Sequence, residues 1–505
     1  MNTAHITISP AEKVAPVNGK IFGTFVEHMG RCVYGGIYEP GHPSATPDGF
    51  RQDVIELAKE LGVTVVRYPG GNFVSGYRWE DGVGPLENRP TRLDLAWRSI
   101  ETNQFGLNEF MKWISLVGAE PMMAVNLGTR GVQEAADIVE YCNFPGTTEL
   151  TSWRKEHGVD QPHDIKMWCL GNEMDGPWQI GHKTAEEYAR IAEETAKAIR
   201  LVDPEVSLVA CGSSFEEMPT FGSWERTVLD RTFDHVDLIS LHAYYEKFDD
   251  DTPSFMASSA RMNRFIKGVI EAADEIAQKK SSEKRINLSF DEWNVWYQKR
   301  FEGVENLEFE HAPRLIEDEY TVEDAVVVGG LLMTLLNNSD RVEVACQAQL
   351  VNIIGPIRAE SDLPAWKQTI FYPFALMANG VSGDVLRAQV RCDTYDCELM
   401  DDVPLVDASS SFDAESGKLV LMLLNRSETE RISSTIDLSL FNQLQVERAN
   451  QLGGGDLTLS NNRENPNQVA PENISLEVGE GGILAVSLPP VSWTFVVLRE
   501  VQNPQ

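Results

Sequence analysis

The run Lys166-Met-Trp-Cys-Leu-Gly-Asn-Glu-Met-Asp-Gly176 decides how the rest of the chain is read. Met167 to Leu170 is short, apolar and ended by glycine, the pattern of a buried strand that stops abruptly. Asn172 and Glu173 stand at the stop, an amide next to a carboxylate. The run Ile286-Asn-Leu-Ser-Phe-Asp-Glu-Trp-Asn294 has the same form, a mostly apolar strand followed by Asp291 and Glu292. In a barrel of parallel strands the C-terminal strand ends carry the chemistry. Two carboxylates from two such ends, facing each other across the mouth, are what glycoside hydrolysis requires. Glu173 and Glu292 are expected to be that pair. A Gly-Asn-Glu tripeptide alone occurs by chance, so the argument rests on the two strand ends together.

Outward from these stretches the chain keeps one rhythm of strand, polar loop and helix. Strands are expected to end near Glu27, Arg67, Asn126, Glu173, Ser213, His242, Glu292 and Gln349. Helical spacing covers Phe50 to Leu61, Leu107 to Val117, Gln133 to Cys142, Ala185 to Val202, Arg261 to Gln278, Val322 to Leu336 and Ala365 to Met377. Eight strands alternating with helices predict an α/β fold, the (β/α)8 TIM barrel. A doubly wound sheet would carry a Gly-x-Gly-x-x-Gly turn after its first strand, and that turn is missing here. After about residue 380 helical periodicity fades. Strand-like runs such as Leu419 to Leu424, Ile483 to Leu488 and Trp493 to Leu498 alternate with Gly-, Asn- and Ser-rich loops, which predicts a β-sandwich of jelly-roll type. The alternating run from His5 to Ser9 precedes the barrel and is assigned to that sandwich. The expected division is 1–18, 19–379 and 380–505, with 19–379 as the catalytic barrel.

Composition narrows the function classes. The chain has 505 residues and a formal net charge of −34, a field that repels nucleic acid and anionic membranes. No apolar run approaches the roughly 18 residues of a membrane span. The N-terminal stretch shows no secretory pattern. The seven cysteines are scattered and odd in number, which fits reduced thiols in a cytoplasmic protein. No Cys-x-x-Cys or His-Glu-x-x-His is present, so neither a metal nor another cofactor is expected.

The strand ends resemble those of the α-L-arabinofuranosidases of glycoside hydrolase family 51. The resemblance is carried, in order along the barrel, by Phe22-Gly-Thr-Phe-Val-Glu-His28, Arg67-Tyr-Pro-Gly-Gly-Asn-Phe73, Trp168-Cys-Leu-Gly-Asn-Glu-Met-Asp175, His242-Ala-Tyr-Tyr245, Phe290-Asp-Glu-Trp-Asn294 and Gln349-Leu-Val-Asn352. Trp366 to Phe374 and Pro490-Val-Ser-Trp493 extend it towards the C-terminus. It implies a retaining, exo-acting enzyme that releases terminal α-L-arabinofuranosyl residues from arabinan- or arabinoxylan-derived oligosaccharides, and a homo-oligomer, often a hexamer.

The resemblance also implies roles. Glu173 is the general acid/base, which needs a nearby carboxylate and an apolar wall such as Trp178 to keep its proton. Glu292 is the nucleophile, held ionised by hydrogen bonds and by Arg67. Asn172 bonds the sugar 2-hydroxyl, and Tyr244 holds Glu292 in its attacking geometry. Glu27, Asn72 and Gln349 meet the arabinofuranose hydroxyls. Among the aromatic residues Trp97, Trp178, Trp296 and Tyr297, whose rings stack on sugar faces, Trp178 and Trp296 are favoured to line the site. His28 and His242 lie at strand ends, His242 as a supporting residue. The acidic stretch from Arg300 to Tyr320, with Glu302, Glu305, Glu308 and Glu310, is either a solvated loop or a lid. A related glycosidase acting on another polymer (an endo-glucanase or β-xylosidase), a metal hydrolase of the same fold and a non-catalytic sugar-binding barrel are the competing readings.

Overall fold

The eight expected strands close into a barrel because each is a short apolar run that must bury both faces. The computed structural model describes residues 3–501, so the outermost residues of the two end segments lie outside the described part. The barrel strands are Gly23–Phe25, Val65–Tyr68, Glu120–Val125, Met167–Leu170, Ser207–Ala210, Leu238–Tyr245, Asn287–Val295 and Val342–Ala348. Each pairs in parallel with its sequence neighbours, and the last pairs with the first through Cys346 and Gly23. The first strand is shorter than its sequence pattern: Val26, Glu27 and His28 already belong to the loop.

The helices between strands follow the apolar spacing. Ala185–Val202 turns Tyr188, Ala189, Ala192, Thr195, Ala196 and Ile199 inward, and Thr184 and Glu187 close its first turn as a capping box. The expected helix Ala365 to Met377 is corrected: Leu363–Lys367 is a strand paired with Ile357–Glu360, and the helix is Phe371–Gly380. Pro364 and the edge pairing take the segment before the helix, where apolar spacing alone does not separate strand from helix. Ser223–Thr232, after the fifth strand, is a helix that sequence spacing missed, because its surface is strongly polar.

The C-terminal part is a nine-stranded sheet. Strands from both ends of that sheet contribute to one apolar core, including Leu421, Leu423, Ile432, Leu484 and Leu498, so the sheet folds over itself as a sandwich. The N-terminal strand Thr3–Pro16 lies inside it, antiparallel to Asp384–Arg391 and parallel to Ile432–Asp437. The helix Val322–Asn337 is buried nearly all round because it lies between barrel and sheet.

Gly329 on that helix makes the contact possible: a Cβ there would meet the Trp493 ring at 2.6 Å. Gly329→Ala should gain about 1 kcal/mol of helix propensity but lose about 1–3 kcal/mol to overpacking. The melting temperature is therefore expected to fall, and a rise would show that the sheet can give way.

Candidate active site

Glu173 and Glu292 come together at the C-terminal mouth of the barrel. One carboxylate oxygen of each, with a ring nitrogen of His242, form a cluster whose atoms lie within 4.8 Å of one another. The turn after the fourth strand aims Asn172 and Glu173. Gly171 adopts φ +90, open to glycine at little cost, and Glu173 itself sits at φ +43.

Every polar atom of the pair is engaged. Glu292 Oε1 accepts from Arg67 Nη1 at 2.7 Å, and its Oε2 accepts from the Tyr244 hydroxyl at 2.8 Å. Arg67 Nη2 donates to Asn172 Oδ1 at 2.6 Å, so one guanidinium spans the nucleophile candidate and the amide beside Glu173. Glu173 Oε1 meets His242 Nδ1 at 2.9 Å, and its Oε2 accepts from Trp178 Nε1 at 2.6 Å. Gly71 lies against this group, where a Cβ would stand 2.9 Å from Glu292 Oε1, so only glycine allows the close approach.

Burial sets the electrostatics. It lifts the Glu292 carboxyl, and the charge of Glu173 adds to the rise, while His242, Arg67 and Tyr244 pull the other way. The hydrogen bonds and the cation expected from the sequence are present, but the net direction is upward because the mouth is so well closed. Burial opposes charge on His242, yet Glu292, Asp291 and Glu173 together push it up to about 10. Glu27 is pushed up to about 8, first by burial and then by the charge of Glu292.

Glu27 and Gln349 form the opposite wall. Gln349 Nε2 donates to Glu27 Oε2 at 3.1 Å, and Glu27 Oε1 accepts from the Phe73 amide and from Trp97 Nε1, each at 2.9 Å. Trp97, the less favoured of the aromatic residues, thus holds a polar wall residue. Asn72 opens the short helix Asn72–Gly76, and its side chain is only part-buried. Trp296 packs edge-on against Tyr244 with ring centroids 5.1 Å apart. Trp178 is 45% exposed and stacks on Phe215, which sequence reasoning did not single out. Tyr297 turns away from the mouth to Asp324. His28 is bound to Glu101 and the Tyr68 hydroxyl, behind the wall.

The long acidic loop is solvated along its carboxylates. Glu302, Glu305, Glu308 and Glu310 are exposed, whereas its backbone is tied down: Ile100 N donates to Glu310 O at 2.9 Å, and Arg98 lies over Phe309. It is a solvated wall fastened to the hairpin that carries Trp97.

Glu173, His242 and Glu292 have the composition of a metal site. Both His242 nitrogens face carboxylates, which a doubly protonated ring satisfies with one donor on each side.

Comparison with known proteins agrees with this geometry. The model of the α-L-arabinofuranosidase 1 domain matches residues 57–261, and that of the α-L-arabinofuranosidase C-terminal domain matches residues 291–492. An intracellular exo-α-(1→5)-L-arabinofuranosidase of Streptomyces lividans is 52% identical over 98% of this chain and 75% of its own. An exo-α-(1→6)-L-arabinofuranosidase of Bifidobacterium longum is 51% identical over 96% of this chain and 95% of its own. A solved family 51 α-L-arabinofuranosidase from Bifidobacterium longum superposes with a TM-score of 0.94 at 46% identity, covering 98% of this chain and 99% of that one. With matching domain models and high identity over nearly the full length, the chain belongs to the α-L-arabinofuranosidases of glycoside hydrolase family 51.

Proposed function

We propose that the protein hydrolyses terminal non-reducing α-L-arabinofuranosyl residues from oligosaccharides by double displacement, with retention at the anomeric carbon. The spacing of Glu173 and Glu292 carries the mechanistic part. A retaining pair stands about 5–5.5 Å apart, and an inverting pair about 6.5–9.5 Å apart to admit water. Oxygens within 4.8 Å favour the retaining geometry. Glu292 attacks the anomeric carbon while Glu173 protonates the leaving oxygen. Glu173 then takes a proton from water, which attacks the arabinosyl-enzyme. Arg67 and Tyr244 orient Glu292, Asn172 faces the 2-hydroxyl, and Glu27, Asn72 and Gln349 bind the other hydroxyls.

Linkage preference belongs to the leaving-group side, where Trp178 and Trp296 offer aromatic faces. Relatives of nearly equal identity carry names with different linkages, so overall identity does not set it. Intracellular action on imported oligosaccharides, as the names of several relatives suggest, and assembly into a homo-oligomer, the hexamer of the resemblance, complete the proposal.

Three outcomes test this reading. Glu173→Ala should lose activity on poor leaving groups yet still be labelled by an activated aryl arabinofuranoside, and azide should restore its turnover. A dead variant that azide does not rescue rules out the acid/base role.

A cyclophellitol-type arabinofuranose should label the peptide holding Glu292, and methanol should yield a methyl arabinofuranoside of unchanged anomeric configuration. Inversion in the first-formed product defeats the mechanism.

Tyr244→Phe should cost about 1.5–3 kcal/mol, roughly 10- to 150-fold in kcat/KM. The bond it removes favours the Glu292 anion, so the acidic limb of kcat/KM should move to higher pH. A shift to lower pH would contradict the assignment of that limb to Glu292.

A further inference from the structure

Asp291 precedes Glu292 in the chain, and successive side chains of a regular strand point to opposite faces. The seventh barrel strand is not regular here. Its register slips between Ser289 and Glu292 against one neighbour and between Phe290 and Trp293 against the other. An irregularity of this kind re-aims side chains, and it leaves both Asp291 and Glu292 facing the charged cluster. Asp291 is fully buried. Its Oδ1 lies 2.8 Å from His242 Nε2, and its Oδ2 lies 3.7 Å from Arg67 Nε and 3.6 Å from Cys169 Sγ. Across the same ring, His242 Nδ1 lies 2.9 Å from Glu173 Oε1 and 3.8 Å from Glu292 Oε2.

We propose that Asp291 is a positioning residue of the reaction: through Nε2 it holds His242 as an imidazolium whose Nδ1–H bridges the two working carboxylates. The inference rests on the roles proposed for Glu173 and Glu292. A neutral imidazole has one N–H and one lone pair, so with carboxylates on both sides one of them would face the lone pair. The groups around the ring are Asp291 and Glu292 from the seventh strand, Glu173 from the end of the fourth, Arg67 from the second and Tyr244 from its own strand. Cys169 and Cys211 lie behind Asp291. Three carboxyl groups against one guanidinium leave room for a second positive charge. Burial opposes ionisation of Asp291, but Arg67 and His242 hold it below the usual carboxylate range.

The consequence lies in where the proton of Glu173 can go. With Nδ1 protonated, His242 donates to Oε1, which leaves the acidic proton of Glu173 to Oε2, the oxygen that also accepts from the Trp178 indole N–H. The carboxylate left after the leaving oxygen departs keeps that donor. With Nδ1 bare, the Glu173 hydroxyl would donate to the ring instead, away from the glycosidic oxygen.

Asp291→Asn keeps the shape and removes the charge. With an aryl arabinofuranoside, kcat/KM should fall on the order of 100-fold. The acidic limb should move to higher pH, because Glu292 loses a cationic neighbour. Selective 15N-histidine labelling of the full chain reads the ring directly. His242, identified by the loss of its signals in His242→Asn, should show imidazolium shifts at about pH 8, where an ordinary histidine is neutral. The same signals in Asp291→Asn should be those of a neutral ring. In a His242→Asn background, Asp291→Asn should move the acidic limb no further. A neutral His242 in the unmodified protein overturns the proposal even if Asp291→Asn does not fold. So does an Asp291→Asn variant that is less stable or less active while His242 keeps its charge and the acidic limb stays put. Label on a residue other than Glu292 would instead defeat the parent reading, so the two failures are told apart.

Discussion

One buried guanidinium orders the barrel mouth. Arg67 is 1% exposed, and its two terminal nitrogens are divided between Glu292 and Asn172. Its Nε edge faces Asp291, and its plane lies over the Phe25 ring at 4.8 Å. A planar fork can serve three partners from fixed directions; an ammonium cannot. Without the charge, Asp291 and Glu292 would lose one of the two basic groups that face them, and removing one partner of a buried ion pair costs several kcal/mol. The positions of Glu292 and of the Asn172 amide beside Glu173 are therefore set by the same group.

On the roles proposed above, the same charge explains how the site would tolerate a residue that changes ionisation twice per turnover. Arg67 and a charged His242 stand against Asp291 and Glu292, which sums to zero while Glu173 carries its proton. When Glu173 gives the proton up, the cluster carries a single negative charge, with the Nδ1–H of His242 next to it. Burial and the charge of Glu292 push the Glu27 carboxyl up to about 8, which disfavours a further negative charge beside Glu292. In a low-dielectric pocket charges a few ångströms apart interact strongly, so this near balance stabilises an ionised Glu292.

The barrel and the carboxylate pair were legible because both follow from short-range patterns. A buried parallel strand is an apolar run, and Gly171 marks the end of the fourth; the seventh, expected to stop before Asp291, runs on to Val295. What was not legible depends on long-range geometry. Ser223–Thr232 hides its few apolar residues among charges, and Leu363–Lys367 is a strand only because Ile357–Glu360 pairs with it. Asp291 could be named as a motif residue, but its contact with His242 comes from a register slip set by neighbouring strands. The indole of Trp97 reaches Glu27 through a fold-back that no local spacing records. Phe215 matters only because Trp178, from another strand end, lies on it.

The shape of the mouth follows from which loops are tied together. In an eight-stranded barrel the first and eighth strands stand opposite the fourth and fifth. The hairpin after the second strand and the long loop after the seventh are joined by the bond from Ile100 N to Glu310 O, above the side that carries Glu27 and Gln349. That side is walled off. On the other side Glu173 follows the fourth strand and Phe215 the fifth, and Trp178 stays 45% exposed between them. On the roles proposed above, a sugar seated against Glu27 and Gln349 would meet a closed end, and its leaving group would depart past Glu173 towards the exposed indole. A chain running through the site in both directions would have to pass the tied loops. The geometry thus fits removal of one terminal residue at a time, with the rest of the substrate on the open aromatic side.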